Sequence, residues 1–231
     1  GRSSVVEVVR AHRKSAVLAP SSLACLADMP TVNLTAGCAH GCLYCYARGY
    51  RTYPGDGTVH LYANALEKLK KELARKRKRP TAIYFSPSSD LFQPIAEVLD
   101  MAYDVIEFLF ESNVGVAFLT KGRIPARHMK LLQANASQVR AQIGISTLDA
   151  RLAKTFEPNA ASPLVRLRQL RRATESGMPA EARLDPILPG LTDGEETLDR
   201  LCAELAAAGI QTISASTLFL RPAVVGALRK H

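Results

Sequence analysis

The chain has 231 residues, of which 47% are apolar and 22% are charged, and this balance excludes a disordered chain, a collagen-like polymer and a low-complexity polymer. Its length suits one compact core, the size at which α/β barrels and doubly wound sheets form single units. The 30 Lys and Arg exceed the 21 Asp and Glu and give a net charge of +9. This charge favours polyanionic partners by long-range attraction without identifying one.

Targeting and membrane signals are missing from the sequence. No apolar stretch approaches the roughly 20 residues that span a bilayer, and the amino terminus lacks a basic-then-apolar secretory signal. We therefore expect a soluble, cytoplasmic protein. Basic residues concentrate in residues 68–79 and 166–172, and both segments are predicted to form solvated helix faces.

Short β-branched apolar runs alternate with longer amphipathic stretches along the chain. Strands are predicted at residues 31–35, 82–85, 114–119, 142–146, 181–186 and 212–215. Helices are predicted at about residues 61–77, 94–110, 125–134, 148–155 and 163–175, and from a capping signal at Thr192 and Asp193 to Gly209. Gly177 is expected to end the fifth helix.

Six strand-helix alternations predict parallel strands joined by right-handed crossovers, and hence an α/β fold. The pattern alone leaves open whether the sheet curls into a partial barrel or stays flat. We expect residues 31–231 to form one core domain, and residues 1–30 to form an N-terminal extension that wraps its outside.

The cysteines are the most informative residues. There are five, an odd number in a chain far larger than disulfide-stapled folds, which argues against a disulfide framework. Cys38, Cys42 and Cys45 have the spacing C-x3-C-x2-C. Thiolates this close in sequence can converge on one soft centre, either tetrahedral zinc or an iron-sulfur cluster. Cys25 and Cys202 are expected to be buried or incidental.

The two metal hypotheses differ in the ligands they need. Zinc requires a fourth ligand, for which the candidates are His40, or the distant Cys25, Cys202 or His60. Three thiolates alone suit a 4Fe-4S cluster with one iron lacking a protein ligand. The cysteine loop directly follows the first predicted strand, and ligands of parallel α/β barrels collect at the carboxyl ends of the strands.

The C-x3-C-x-aromatic-C motif, with Tyr44 as its aromatic residue, on the first loop of a six-fold βα chain resembles the radical S-adenosylmethionine (radical SAM) superfamily. The local sequence Gly-Cys-Ala-His-Gly-Cys-Leu-Tyr-Cys-Tyr-Ala-Arg at residues 37–48 resembles its spore photoproduct lyase-like, or DNA repair photolyase-like, branch. The resemblance covers nearly the whole chain. It implies a partial (βα)6 TIM-like barrel.

The resemblance also implies a mechanism. A 4Fe-4S cluster on Cys38, Cys42 and Cys45 would bind S-adenosylmethionine at its open iron. With one electron from a donor such as flavodoxin or ferredoxin, it would cleave this cofactor to a 5'-deoxyadenosyl radical. The radical would abstract hydrogen from a substrate, while the protein positions the partners and excludes side reactions.

The resemblance assigns further residues. Ser89 matches a contact to the cofactor's amino group, Lys121 a contact near its carboxylate and ribose, and Ser146 a contact to the ribose. The structural alternatives are a turn residue, a snorkelling lysine and a helix cap, respectively. Tyr44 and Tyr46 match tyrosines that lie against the cofactor and help to return a hydrogen atom; packing around the cysteine loop is their alternative.

Two departures from the lyase bear on the substrate. Pro87 stands where the lyase has a hydrogen-donating cysteine, and the chain ends soon after the sixth predicted strand, without the lyase's DNA-gripping hairpin. Spore photoproduct repair itself is therefore not expected. The substrate hypotheses are a nucleic-acid base or lesion, and a small molecule or peptide. A non-catalytic iron-sulfur or zinc-binding module is the third hypothesis.

Overall fold

Strands and helices alternate along residues 5–21 and 29–230, the parts of the chain that the computed structural model describes. The strands are β1 (Glu7–Ala11), β2 (Thr31–Val32), β3 (Thr35–Ala36), β4 (Thr58–Tyr62), β5 (Ala82–Phe85), β6 (Gly115–Thr120), β7 (Val139–Gly144), β8 (Ala180–Ile187) and β9 (Ile213–Thr217). The α-helices are α1 (Ala65–Ala74), α2 (Ala96–Glu111), α3 (Ala126–Ala134), α4 (Ala150–Phe156), α5 (Pro163–Glu175), α6 (Glu195–Ala207) and α7 (Pro222–Leu228).

The main sheet has six strands in the order β2-β5-β6-β7-β8-β9. Every pair in it is parallel, which confirms the predicted α/β fold. Within the described residues β2 and β9 remain its two edges, so the sheet is a partial TIM-like barrel and not a closed one. All six strands consequently direct their carboxyl ends to the same rim, where the connecting loops can build a site.

A continuous apolar core joins the sheet to its helices. Helix α2 buries Val98, Ala102, Val105, Ile106 and Leu109, a spacing of three and four residues that forms one face of a helix. All of these residues except Val98 pack in one cluster with buried strand residues at positions 83, 85, 116 and 118. The burial of α2 against the central strands fixes the part of the sheet that carries the site.

A second, three-stranded sheet has the order β1-β4-β3, and its strand β4 corrects the prediction that a helix begins near residue 61. The segment 58–62 alternates between half-buried and buried residues, the period of a strand, and α1 begins only at Ala65. Val59 and Leu61 pack with Ala39 of the cysteine loop. The apolar side chains of β4 in the small sheet therefore pack against the cysteine loop.

Residues 5–21 contribute strand β1 to this small sheet and also pack on the apolar core through Val17 and Leu18. Strand β1 pairs in parallel with β4, and Glu72 of α1 accepts hydrogen bonds from the Val17 and Leu18 amides. The proposed domain boundary at residue 30 stays a prediction. None of the helices within the described residues is long and apolar enough to cross a bilayer.

Other expectations differ from the structure in detail. Helix α6 begins after Gly194, because Thr192 and Asp193 instead accept hydrogen bonds from the Leu188 and Gly190 amides and shape the preceding loop. Strand β7 ends at Gly144, so Ser146 lies beyond it. Arg166 is only 2% exposed, and the prediction that its segment forms a solvated face is wrong at this residue.

The turn after β6 depends on a glycine. A Cβ on Gly122 would lie 2.1 Å from the Phe92 carbonyl oxygen, a backbone atom that cannot rotate away. We expect Gly122→Ala to lower the free energy of unfolding by about 1 to 3 kcal/mol, the usual cost of overpacking. Urea denaturation measures this change.

Gly226 provides the matched control, since a Cβ there meets nothing within 4 Å and the residue lies in helix α7. Gly226→Ala should raise the free energy of unfolding by about 0.5 to 1 kcal/mol, because alanine loses less backbone entropy on folding. A Gly122→Ala protein as stable as the unmodified chain would contradict this account of the turn.

Candidate active site

A cavity of about 390 Å³ opens at the carboxyl rim of the main sheet. Its wall includes seven of the eight predicted site residues, namely Cys38, Cys42, Cys45, Tyr44, Tyr46, Ser89 and Lys121. The eighth, Ser146, lines a smaller adjoining pocket that shares Tyr44 with the main cavity. The fold thus brings together side chains from the cysteine loop and from the loops after β5 and β6.

The three cysteines of the loop are free thiols and partly buried. Burial raises the pKa of Cys42 to about 12, although the positive charge of Lys121 opposes this shift. Burial also raises the pKa of Cys38, and the nearby Asp90 carboxylate adds to the effect. Since a metal binds the thiolate, ligation here must be strong enough to displace protons.

The donor set distinguishes the two metal hypotheses. Within the described residues no group of three His, Cys, Asp or Glu side chains is arranged to hold a single metal ion. A structural zinc ion needs a fourth protein ligand, whereas a 4Fe-4S cluster with one open iron would need only three thiolates. The three thiols on one cavity wall supply the donor set of such a cluster.

Within the described part of the chain, none of the fourth ligands considered for zinc completes such a site. His40 directs Nε2 to Asp90 Oδ2 at 3.0 Å and Nδ1 to the Asn159 carbonyl oxygen at 3.3 Å, so both ring nitrogens are engaged. Cys202 is exposed on helix α6 and does not line the cavity, so of the two expectations for it, buried or incidental, burial is excluded. His60 does not line the cavity, and Cys25 lies outside the described residues.

Asp90 is a buried carboxylate that joins three segments around the cavity. It accepts hydrogen bonds from His40 Nε2 at 3.0 Å, Thr120 Oγ1 at 2.7 Å and the Lys121 amide at 2.9 Å. Burial pushes its pKa upward, but His40 and these hydrogen bonds hold the pKa of Asp90 below its ordinary value. The carboxylate therefore fixes the cysteine loop to the ends of β5 and β6.

The segment that follows α4 forms a second attachment, here called the 156–159 clamp. The Leu43 amide donates to the Phe156 carbonyl at 2.9 Å, Asn159 Nδ2 donates to the Ala39 carbonyl at 2.9 Å, and the Tyr44 hydroxyl donates to Glu157. Burial raises the pKa of Tyr44, and the negative charges of Cys42 and Glu157 add to this. The phenol consequently stays protonated and able to donate.

Arg166 neutralises the clamp's buried carboxylate. It forms an ion pair with Glu157 and donates to the Ala161 carbonyl at 2.7 Å and the Gly144 carbonyl at 2.8 Å. Although burial opposes it, this guanidinium holds the pKa of Glu157 below its ordinary value. Sequence analysis missed the role of Glu157, Asn159 and Asp90, because each acts through partners far away in the chain.

Lys121 lies across the inner face of the sheet instead of extending into solvent. A Cβ on Gly144 would meet the Lys121 Cε and Cγ atoms at 3.0 Å, so the glycine leaves room for the lysine stem. Lys121 Nζ donates to the Asp185 carbonyl at 3.1 Å and lies 5.3 Å from the centre of the Tyr44 ring. The ammonium group is thereby held beside the cysteine loop.

The serines occupy different environments. Ser89 and Ser88 direct their hydroxyls to Asn33 Oδ1, at 3.4 and 3.1 Å. Ser146 Oγ is buried without a hydrogen-bond partner among the described residues. This atom is therefore available to a ligand, whereas the Ser89 hydroxyl has a long bond that a ligand can displace.

The mouth of the cavity carries aromatic and basic side chains. Arg221 lies 6.0 Å from the ring centre of Tyr46 and 5.9 Å from that of Phe219, and Phe219 is 75% exposed. The Tyr46 hydroxyl donates to the Pro87 carbonyl. Residues 68–79 do not line this cavity; they lead into the amino end of β5, the opposite rim of the sheet.

A comparison with protein-family models matches the radical SAM superfamily over residues 32–202. The chain belongs to the radical SAM superfamily. It is 30% identical to an uncharacterized protein of Mycobacterium tuberculosis over 222 residues, which are 92% of this chain and 65% of that protein. A protein of Pseudomonas phage M6 named radical SAM Nalpha-GlyT isomerase is 27% identical over 173 residues, 74% of this chain and 35% of that one.

Solved structures show the same fold in other radical SAM proteins. A spore photoproduct lyase variant matches with a TM-score of 0.73 and 20% identity, over 95% of this chain and 65% of that one. Another, with bound S-adenosylmethionine and dinucleoside spore photoproduct, matches with a TM-score of 0.72 and 20% identity, over 97% and 66%. The chain spans slightly less than two thirds of the length of the mycobacterial relative and of the first lyase structure.

The Arg166–Glu157 pair generates a stability prediction. Arg166→Met leaves a buried carboxylate without its cation, and we expect a loss of about 3 to 5 kcal/mol in the free energy of unfolding. Combining it with Glu157→Gln should recover part of this loss, because the uncompensated charge is then removed. Chemical denaturation of the metal-free protein measures the free energy of unfolding of the single and the double variant.

Arg168 on the same helix is exposed and supplies the control. Arg168→Met should change the free energy of unfolding by no more than about 0.5 kcal/mol, as is usual for surface substitutions. Equal effects of the two Arg→Met substitutions would contradict a special role for the buried pair.

Proposed function

We propose that Cys38, Cys42 and Cys45 hold a 4Fe-4S cluster, that S-adenosylmethionine binds at its open iron, and that the enzyme uses this pair to abstract hydrogen from a nucleic-acid base. The observation that carries the proposal is the common cavity of the three thiols, Lys121 and the two tyrosines. The cluster and S-adenosylmethionine together supply reductive cleavage of a carbon-sulfur bond and a hydrogen-abstracting radical. A small one-electron donor such as flavodoxin or ferredoxin is the proposed reductant.

The chain's own residues position the cofactor in this proposal. Lys121 supplies a held positive charge that complements a carboxylate, and charge-assisted hydrogen bonds of this kind are strong. The buried Ser146 hydroxyl offers a hydrogen bond to the ribose, and the Ser89 hydroxyl oxygen accepts one from the amino group. Tyr44, held by Glu157, and Tyr46, held by the Pro87 carbonyl, lie against the bound pair.

The proposed roles of the tyrosines follow from their positions. Tyr44 is buried and Lys121 lies over its ring, which supports a contact between Tyr44 and the cofactor. Tyr46 is half exposed between the cysteines and the mouth, where a hydroxyl can return a hydrogen atom to a substrate. Pro87, at the position of the lyase's donor cysteine, offers only its carbonyl to Tyr46.

The mouth of the cavity supports a nucleic-acid base as the substrate. An exposed Phe219 and the Arg221 guanidinium form a surface on which a planar base can stack, and arginine can bind the adjoining phosphate. A similar lyase structure with a bound dinucleoside spore photoproduct also supports a nucleic-acid substrate. Residues 68–79, on the opposite rim, contribute at most general attraction to the polyanion.

The cluster assignment predicts the effect of removing one ligand. Cys42→Ala should abolish formation of 5'-deoxyadenosine from S-adenosylmethionine after anaerobic reconstitution and reduction, because only two thiolates remain. Cys202→Ala, on the exposed face of α6, should retain full activity. Product formation is measured by chromatography, and bound iron by elemental analysis.

Two outcomes would overturn the assignment. Cofactor cleavage by Cys42→Ala at the unmodified rate would remove Cys42 from the ligands. Zinc bound tightly in preference to iron, with no cofactor cleavage by the reconstituted protein, would favour a non-catalytic module.

The substrate proposal predicts a change in nucleic-acid affinity. Phe219→Ala and Arg221→Ala should each weaken binding of a fluorescent single-stranded oligonucleotide by about 5- to 150-fold, the range expected for losing one stacking contact. Fluorescence anisotropy at low salt, where phosphate contacts are strongest, provides the measurement. Lys78→Ala, on the opposite rim, should have a much smaller effect.

Loss of affinity only in the Lys78→Ala protein would place the nucleic acid on the wrong rim and overturn the substrate proposal. Negligible binding by the unmodified chain would do the same and favour a small molecule or a peptide. If nucleic acid stimulated cofactor cleavage and small molecules and peptides did not, this result would argue against a small molecule or a peptide as the substrate.

A further inference from the structure

Ser86 is the buried hydroxyl of the cavity wall that no role above uses. It directly follows β5 and lines the same cavity as the three cysteines. The residue is 6% exposed, and its Oγ has no hydrogen-bond partner among the described residues. A buried hydroxyl without a partner costs free energy, which a folded protein ordinarily avoids.

The backbone at Ser86 carries a second cost. Its φ angle is +58°, in the left-handed region that residues with a Cβ seldom adopt. The position is nevertheless held firmly, because the Ser86 amide donates to the Val32 carbonyl at 2.7 Å and the Ser86 carbonyl accepts from the Ser89 amide at 3.2 Å. The fold thus directs an unsatisfied hydroxyl toward the cavity at the expense of stability.

We propose that Ser86 Oγ donates a hydrogen bond to an anionic acceptor of the cofactor pair bound in this cavity. The acceptor is either a sulfur of the cluster or the carboxylate of S-adenosylmethionine, and both offer the negative charge that a hydroxyl donor stabilises. Ser89 of the same loop remains the proposed contact to the amino group, although its hydroxyl must first give up its long hydrogen bond to Asn33. This inference rests on the proposed cluster and cofactor, and it adds Ser86 as a positioning residue.

The first test uses the metal-free chain. Ser86→Ala removes the unsatisfied hydroxyl, and Ser86→Gly also relieves the left-handed backbone, so both should raise the Tm. Ser88→Ala is the matched control, since Ser88 lines the same cavity but its hydroxyl bonds to Asn33 at 3.1 Å; it should lower the Tm slightly. If Ser86 instead stabilised the fold, both Ser86 substitutions would lower the Tm.

The second test uses the reconstituted enzyme and separates the two acceptors. If the acceptor is a cluster sulfur, Ser86→Ala should lower the cluster's midpoint potential in the absence of S-adenosylmethionine, because hydrogen bonds to sulfur tune this potential. If the acceptor is the carboxylate, that potential stays unchanged and the Kd for S-adenosylmethionine rises about 10-fold or more. Potentials come from a redox titration followed by electron paramagnetic resonance, and the Kd from equilibrium dialysis.

The results distinguish this inference from the proposed function. If the unmodified chain loads iron and binds S-adenosylmethionine while Ser86→Ala matches Ser88→Ala in Tm, potential and Kd, the role of Ser86 is overturned and the proposed function stands. If the unmodified chain assembles no cluster, both are overturned.

Discussion

The cavity depends on one buried carboxylate, that of Asp90. Its oxygens accept from the cysteine loop through His40 and from the β6 end through Thr120 and the Lys121 amide. A buried anion is tolerated only when it is fully hydrogen-bonded, so these segments must come together for the fold to be stable. The same geometry places Lys121 and the thiols on one wall, and the cost of burying Asp90 therefore enforces the arrangement of the site.

Glu157 is a second buried carboxylate that holds the cysteine loop in place. Arg166 neutralises it, and Tyr44 shares it, so the cysteine loop is held by two buried carboxylates on separate segments. The loop has little regular structure of its own, apart from a short 3-10 helix at Tyr46–Gly49. Its shape comes from tertiary hydrogen bonds, which suits the proposed role of holding three thiolates on one cluster.

The sequence predicts those parts of the molecule that rest on local periodicity and spacing. Strand β5 and helix α5 lie at their predicted bounds, because an apolar run and a proline-started amphipathic run are local signals. The sequence pattern did not predict strand β4, because only two residues separate its five residues from helix α1. The burial of Arg166 could have been found, since it shares one face of α5 with Leu170 and Ala173. The partners of Asp90 and Glu157 are set by tertiary contacts that one sequence does not contain.

The charges around the cysteine loop also determine how easily its thiols ionise. Burial disfavours the Cys42 thiolate, Glu157 disfavours it further, and Lys121 and Arg166 favour it. Without a metal the Cys38 and Cys42 thiols therefore stay protonated and weakly nucleophilic, because burial raises the pKa of each. Only a centre that supplies several positive charges at once makes the thiolates favourable. Lys121 and Arg166 then balance part of the remaining negative charge and so offset part of the cost that burial places on the Cys42 thiolate.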